Sequence, residues 1–258
     1  MKMPVLFVGH GSPMNAIEQN RFTEALAKLG QQLPRPQAVC VVSAHWVTSG
    51  SEVLAVAKPR TIHDFYGFPR PLYEVEYPAP GAPAEAQSVA RELALDPDET
   101  WGLDHGTWAV LRHLYPDADV PVFQVSLDEG RNLPRHLELG SQLAHLRDRG
   151  VLIVGSGNIV HNLRRLVWDK NTEPFPWTVE FDGHVRKAIE TRDLTSLAAP
   201  ERWGKPLAAL AHPTLEHYVP LLYCMGSTTE HDPVAYPYEG FEYGSLSMRM
   251  ALFGESST

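Results

Sequence analysis

Three unbroken apolar runs constrain this chain more than any other feature: residues 4–8 (PVLFV), 38–43 (AVCVVS) and 151–154 (VLIV). Each is too short for a helix, is rich in β-branched residues and lacks the polar alternation of a half-wet strand. Each therefore reads as a strand covered on both faces. Longer stretches suited to helices separate them, at about 18–29, 84–95, 108–115, 134–149 and 176–192. Further strands are expected at 52–57 and 120–127, with a closing strand at 245–253. Pro213 is placed to begin a helix (HPTLEHYVPLLY) that Pro220 must kink or end. Strands interleaved with helices predict an α/β fold, a mostly parallel central sheet flanked by helices. With 258 residues and no stretch that reads as a linker, one domain spanning 1–258 is expected.

The long segment 58–83 is rich in proline, glycine and aromatic residues. An irregular stretch of that length in a compact domain is usually a functional loop.

Charge and cysteine usage narrow the partners. The net charge is −9 and no basic run is present, which speaks against nucleic acid or an anionic membrane surface as a partner. No segment reaches 18 apolar residues, and the apolar run before His10 is too short for a signal peptide. The two cysteines, Cys40 and Cys224, sit in apolar settings and read as buried free thiols, so a cytoplasmic location is expected.

Twelve histidines against two cysteines direct any metal toward nitrogen and oxygen ligands. Their placement matters more than their number. VLFVG runs out into His10, CVVSA into His45, and LIVGSGNIV into His161. Ligands of open α/β sheets bind beyond the carboxyl ends of the strands, so histidines at three such ends can converge on one cleft. A lone histidine in such a place more often just bonds a loop; the repetition favours a shared site.

His217, four residues before Leu221, is either a fourth member or a satisfied core histidine, with Glu216 beside it as a rival carboxylate. His105, in WGLDHGTW, either offers a polar group in an aromatic pocket or merely follows Asp104, a helix cap. His63 either lines a mouth or sits in a turn held by Asp64. His113, His136, His145, His184 and His231 read as solvated. Other chemistry lacks its motif: Gly155-Ser156-Gly157 is an incomplete dinucleotide loop, and there is no nucleophile elbow, Walker lysine or Cys-x-x-Cys pair.

The blocks GHGSPMNAI, VVSAHWVTSG, TIHDFYGFP, YPAPG, DHGTWAVL, SGNIVHNLR, PTLEHYVPLL and EYGSLSM together resemble the class III extradiol ring-cleaving dioxygenases, in the branch of the 4,5-DOPA dioxygenases. They run in order from residue 9 to about 248. The resemblance implies a single-metal cleft at the carboxyl ends of the strands. It matches His10, His45 and His217 to the metal positions, and His161 to the acid–base histidine, also near the metal. His105 matches a histidine facing the substrate oxygens. Relatives of the protocatechuate type complete their site with a glutamate, where this chain has His217.

The implied cofactor is one divalent ion per chain, Fe(II) for turnover, with Zn(II) able to occupy the site. The implied partners are a small catechol and O2. Trp46, Phe65, Tyr66, Phe68 and Trp108 suit a planar aromatic ring, and Arg60, Arg70 and Tyr73, in the long loop, either meet a substrate carboxylate or are simply solvated on the surface. Two rivals remain: a zinc hydrolase using the same histidines, and a binding module without catalysis.

Overall fold

A computed structural model describes residues 2–255. Its central sheet has six strands: β1 (Val5–Gly9), β2 (Ala38–Ser43), β3 (Val122–Gln124), β4 (Val151–Gly157), β5 (Val234–Ala235) and β6 (Met250–Phe253). Their spatial order is β3-β2-β4-β1-β6-β5. The first four are parallel, whereas β6 runs antiparallel to β1 and β5 antiparallel to β6. The fold is therefore α/β with a mostly parallel central sheet flanked by helices. The register aligns Gly9 with Gly157 and Ser43 with Ser156, so β1, β2 and β4 finish at one level.

The apolar runs are unbroken because both faces of the sheet are covered. Val5, Phe7, Cys40, Val42, Val151 and Ile153 face one apolar layer; Leu6, Val8, Val39, Val41, Leu152 and Val154 face the other. The second layer is completed by α1 (Arg21–Gln32) and α3 (His105–Leu114). The first is completed by α2 (Pro83–Leu93), α4 (Leu133–Leu143), α5 (Pro176–Glu190) and α6 (Val219–Gly226).

The glycines of β4 are what allow α6 to lie so close. A Cβ on Gly155 would come within 2.6 Å of the Pro220 carbonyl oxygen, and one on Gly157 within 2.1 Å of the His217 carbonyl oxygen. Cys40 and Cys224 are buried and unpaired.

Several expectations need correction. No helix begins at Pro213. Residues 213–218 form turns, and the helix starts at Val219 with Pro220 in its first turn, where a missing N–H costs nothing. Proline thus opens this helix instead of breaking it. The strand expected at 52–57 is Glu52–Leu54 and pairs with Asp96–Asp98 outside the central sheet. The strand expected at 120–127 is interrupted: Val122–Gln124 joins the sheet, and Leu127–Asp128 pairs with Val47–Thr48. The helix expected at 134–149 gives way to a 3-10 turn at Ala144.

Candidate metal centre

His10 follows β1 directly, His45 lies two residues beyond β2, and His161 four beyond β4. His217 arrives from the turn before α6, its main chain pinned to the strand end by the Asn158 N–H donating to the His217 carbonyl at 2.8 Å. His105 opens α3, whose N-cap is Asp104. The five rings meet over the strand ends. The centroid of His10 lies 5.0 Å from that of His45, 5.6 Å from His105 and 5.4 Å from His217. His45 is 3.9 Å from His105 and 5.1 Å from His217. His161 stacks on His217 at 3.5 Å with the planes 5° apart.

The hydrogen-bond partners settle which ring nitrogens are free. The Ser156 hydroxyl donates to the Gly106 carbonyl at 2.5 Å, so it accepts from His10 Nδ1 at 3.0 Å. His217 Nδ1 donates to Glu216 Oε1 at 3.1 Å, and His45 Nδ1 lies 3.2 Å from Asp64 Oδ2. With Nδ1 donating in His10 and His217, and turned to a carboxylate that favours its proton in His45, each neutral ring keeps its lone pair on Nε2.

The Nε2 atoms of His10 and His45 face each other at 3.1 Å, and with this tautomer set no proton lies between them. That separation is near the roughly 3.3 Å edge of a tetrahedron whose metal–nitrogen bonds are about 2.0–2.1 Å. Two acceptors this close, each held from behind by an oxygen, fit a shared cation. Burial, reinforced by neighbouring histidines, holds the imidazoles of His10, His45 and His217 well below the ordinary histidine range, so they stay neutral and able to ligate.

Donor atoms of His10, His45 and His105 lie within 4.8 Å of one another, as do those of His161, Glu216 and His217. The structure thus has a three-histidine group able to hold a metal, and that group contains His105 where the resemblance would place His217. His105 differs in its surroundings: its Nδ1 is 2.9 Å from Asp64 Oδ2, and its backbone N–H donates to Asp64 Oδ1 at 2.8 Å. Burial would raise the Asp64 carboxyl, but the hydrogen bonds from the His105 ring and backbone N–H bring it down to about 2, so it is ionised. Beneath the site, buried Asp104 accepts from the Ser43 hydroxyl at 2.6 Å and from Gln124 Nε2 at 2.8 Å.

Other sequence readings fare unevenly. Phe65 lies edge-on to His105 at 5.6 Å and beside Phe68 and Tyr73, so the aromatic loop does reach the site. Trp46 and Trp108 are instead core residues, stacked on Trp101 and bonded to the Ile62 carbonyl respectively. Tyr66 is 91% exposed, and Arg70 is paired with Glu74 on the surface.

Asp64 holds no turn for His63, which bonds the Val75 carbonyl at 2.9 Å. His136 is buried against the Tyr223 hydroxyl and His113 is half-buried against the Asn15 carbonyl, so neither is solvated as expected. Sequence reasoning missed His212, which is buried and bonded to the Ile159 carbonyl behind His161. Its only signal was position, one residue before Pro213 in a block already singled out.

Comparison with known proteins gives this geometry a family. Residues 4–247 match the family described as catalytic LigB subunit of aromatic ring-opening dioxygenase. Over 98% of the chain it is 47% identical to a 4,5-DOPA dioxygenase extradiol of Escherichia coli (strain K12), spanning 95% of that protein. It is 34% identical to a 4,5-DOPA dioxygenase extradiol of Beta vulgaris, over 93% of this chain and 92% of that one. A crystal structure of an uncharacterised protein from Escherichia coli K12 superposes with a TM-score of 0.85 at 42% identity, covering 98% of this chain and all of that one. The chain belongs to the LigB family of class III extradiol dioxygenases, and it is a ring-cleaving oxidoreductase acting on a small aromatic substrate with O2.

Proposed function

We propose that this enzyme opens the ring of a small catechol such as DOPA next to the diol, placing both atoms of O2 in the product. The reaction would occur at one divalent ion held by His10, His45 and His217. The observation that carries the metal reading is the pair of facing Nε2 atoms, 3.1 Å apart, on rings whose other nitrogen is already turned to an oxygen. His217 joins the set because its Nδ1 is engaged in the same way and its ring sits within 5.4 Å of both others.

A redox-active ion such as Fe(II) would supply open positions for a diol and a path for electrons to O2, whereas Zn(II) could fill the site without turnover. The side chains supply the rest. Burial, with His212 and His105 nearby, pushes His161 down to about 3, leaving it neutral with an acceptor nitrogen free of any carboxylate partner. His161 therefore takes a catechol hydroxyl proton, and the negative charge left on the substrate favours the protonated ring until the proton is returned. His105 faces the substrate oxygens, while Phe65 covers the aromatic ring. The buried unpaired thiols of Cys40 and Cys224 suit a reducing, cytoplasmic setting. No helix among the described residues is long and apolar enough to cross a membrane.

The test is oxygen uptake by the Fe(II)-reconstituted enzyme across a panel of catechols. DOPA should consume O2 and give a coloured semialdehyde-type product, and tyrosine, which has no diol to chelate, should not. Iron bound at one per chain with no uptake on any catechol would overturn the reading.

A further inference from the structure

Asp64 contributes more to this site than its place in an irregular loop suggests. One of its oxygens, Oδ2, lies 2.9 Å from Nδ1 of His105 and 3.2 Å from Nδ1 of His45, while the other accepts the His105 backbone N–H at 2.8 Å. No nearby residue in the chain links these partners: His45 follows β2, and His105 begins α3. The two rings are nevertheless only 3.9 Å apart, and a single carboxylate oxygen sits behind both. Phe65, the next residue, lies against His105, so the same short segment also carries the aromatic wall.

Resting on the metal reading above, we propose that Asp64 is a positioning residue that acts through two histidines at once. It fixes the proton of His45 and of His105 on Nδ1, presenting the Nε2 of His45 to the metal and that of His105 to the substrate, and it anchors the aromatic loop to both. A carboxylate has acceptors for all three N–H groups. An amide of the same size has one acceptor oxygen, so in Asp64→Asn the NH2 group must meet, donor to donor, either the ring Nδ1–H groups behind Oδ2 or the His105 backbone N–H at Oδ1. In the first case a ring must turn or move its proton to Nε2; in the second the loop must move off the start of α3. Where such a partner behind a metal-ligating histidine is lost, metal affinity typically falls 10–100-fold.

The test compares wild type, Asp64→Asn and His45→Ala by Zn(II) competition titration. It adds 15N–1H spectroscopy of the zinc-loaded protein, where the tautomer of the His105 ring and the hydrogen bonding of its backbone N–H are read directly. Circular dichroism establishes that each variant is folded. The expected result is that His45→Ala loses zinc, Asp64→Asn binds it roughly 10–100-fold more weakly, and in Asp64→Asn alone either the His105 proton leaves Nδ1 or the His105 backbone N–H loses its hydrogen bond. If His45→Ala loses zinc but Asp64→Asn keeps wild-type affinity, the Nδ1–H form of His105 and its bonded backbone N–H, the proposal is overturned and the metal site stands. If His45→Ala retains zinc fully, the metal reading falls and the proposal with it.

Discussion

At the scale of the residue, the site is a problem of proton placement among uncharged imidazoles. Each of the three proposed ligands has an oxygen behind Nδ1, from Ser156, Asp64 or Glu216. His161 is the one neighbour whose ring is stacked on another ring without such a carboxylate. This difference separates two predictions. His10→Ala and His45→Ala should each lose most of the bound metal, measured by elemental analysis after dialysis; full metal content in both would contradict the ligand assignment. His161→Ala should keep much of its iron and lose turnover of DOPA, since the diol proton has nowhere to go. Wild-type rates across neutral pH in that variant would rule out the acid–base role.

Sequence reading found His10, His45 and His161 because each follows an apolar run through small residues, and His105 and His217 stood out beside them. The roles of Asp64 and Glu216 were not legible. Asp64 reads locally as a turn residue, and its partners are 19 and 41 positions away with no periodicity joining them. Glu216 reads as a rival ligand until its hydrogen bond to His217 Nδ1 is seen.

At the scale of the element, the site depends on how closely α6 approaches the end of β4. A methyl group on Gly157 would meet the His217 carbonyl at 2.1 Å, a main-chain atom that is also bonded to the Asn158 N–H at 2.8 Å and cannot move alone. Gly157→Ala should therefore cost at least the ~1–3 kcal/mol typical of overpacking. It should also weaken metal binding by displacing His217. Thermal unfolding and zinc titration of the variant check both, and an unchanged midpoint with unchanged affinity would contradict the close-packing account.

The buried strands were legible because the double-sided sheet leaves no polar alternation, and a run of four to seven apolar residues has few other uses. The start of α6 was not. Proline marks a helix start and a helix end equally well in a sequence, and tertiary packing of Val219–Gly226 against β4 decided between them. The peripheral strands were misjudged for a related reason: pairings such as Val47–Thr48 with Leu127–Asp128 are too short to leave a pattern.

At the scale of the whole molecule, apolar layers on both faces of one sheet lead us to propose that residues 1–258 form one cooperative domain, which denaturant unfolding would report as a single transition with coincident probes. Stability should fall in mild acid. His136 is buried against Tyr223, and burial brings it from an ordinary 6.5 to about 4 in the folded chain. Between those values the unfolded chain binds the extra proton, so stability is complete above about pH 6.5 and is lost as pH falls toward 4. The contribution lost between pH 7 and 5 is about 2 kcal/mol. His136→Gln, which keeps a partner for the Tyr223 hydroxyl, should show that much less loss; an equal loss would assign the acid sensitivity elsewhere.

The central claim, that these histidines serve ring opening of a catechol by O2, is met most directly by mass spectrometry of the product formed from DOPA under 18O2 by the Fe(II)-loaded enzyme. Two labelled oxygen atoms are predicted in the initial ring-opened product, one of them subject to later aldehyde exchange with water. A product carrying no oxygen from O2, with the ring intact or cleaved only by hydrolysis, would contradict it.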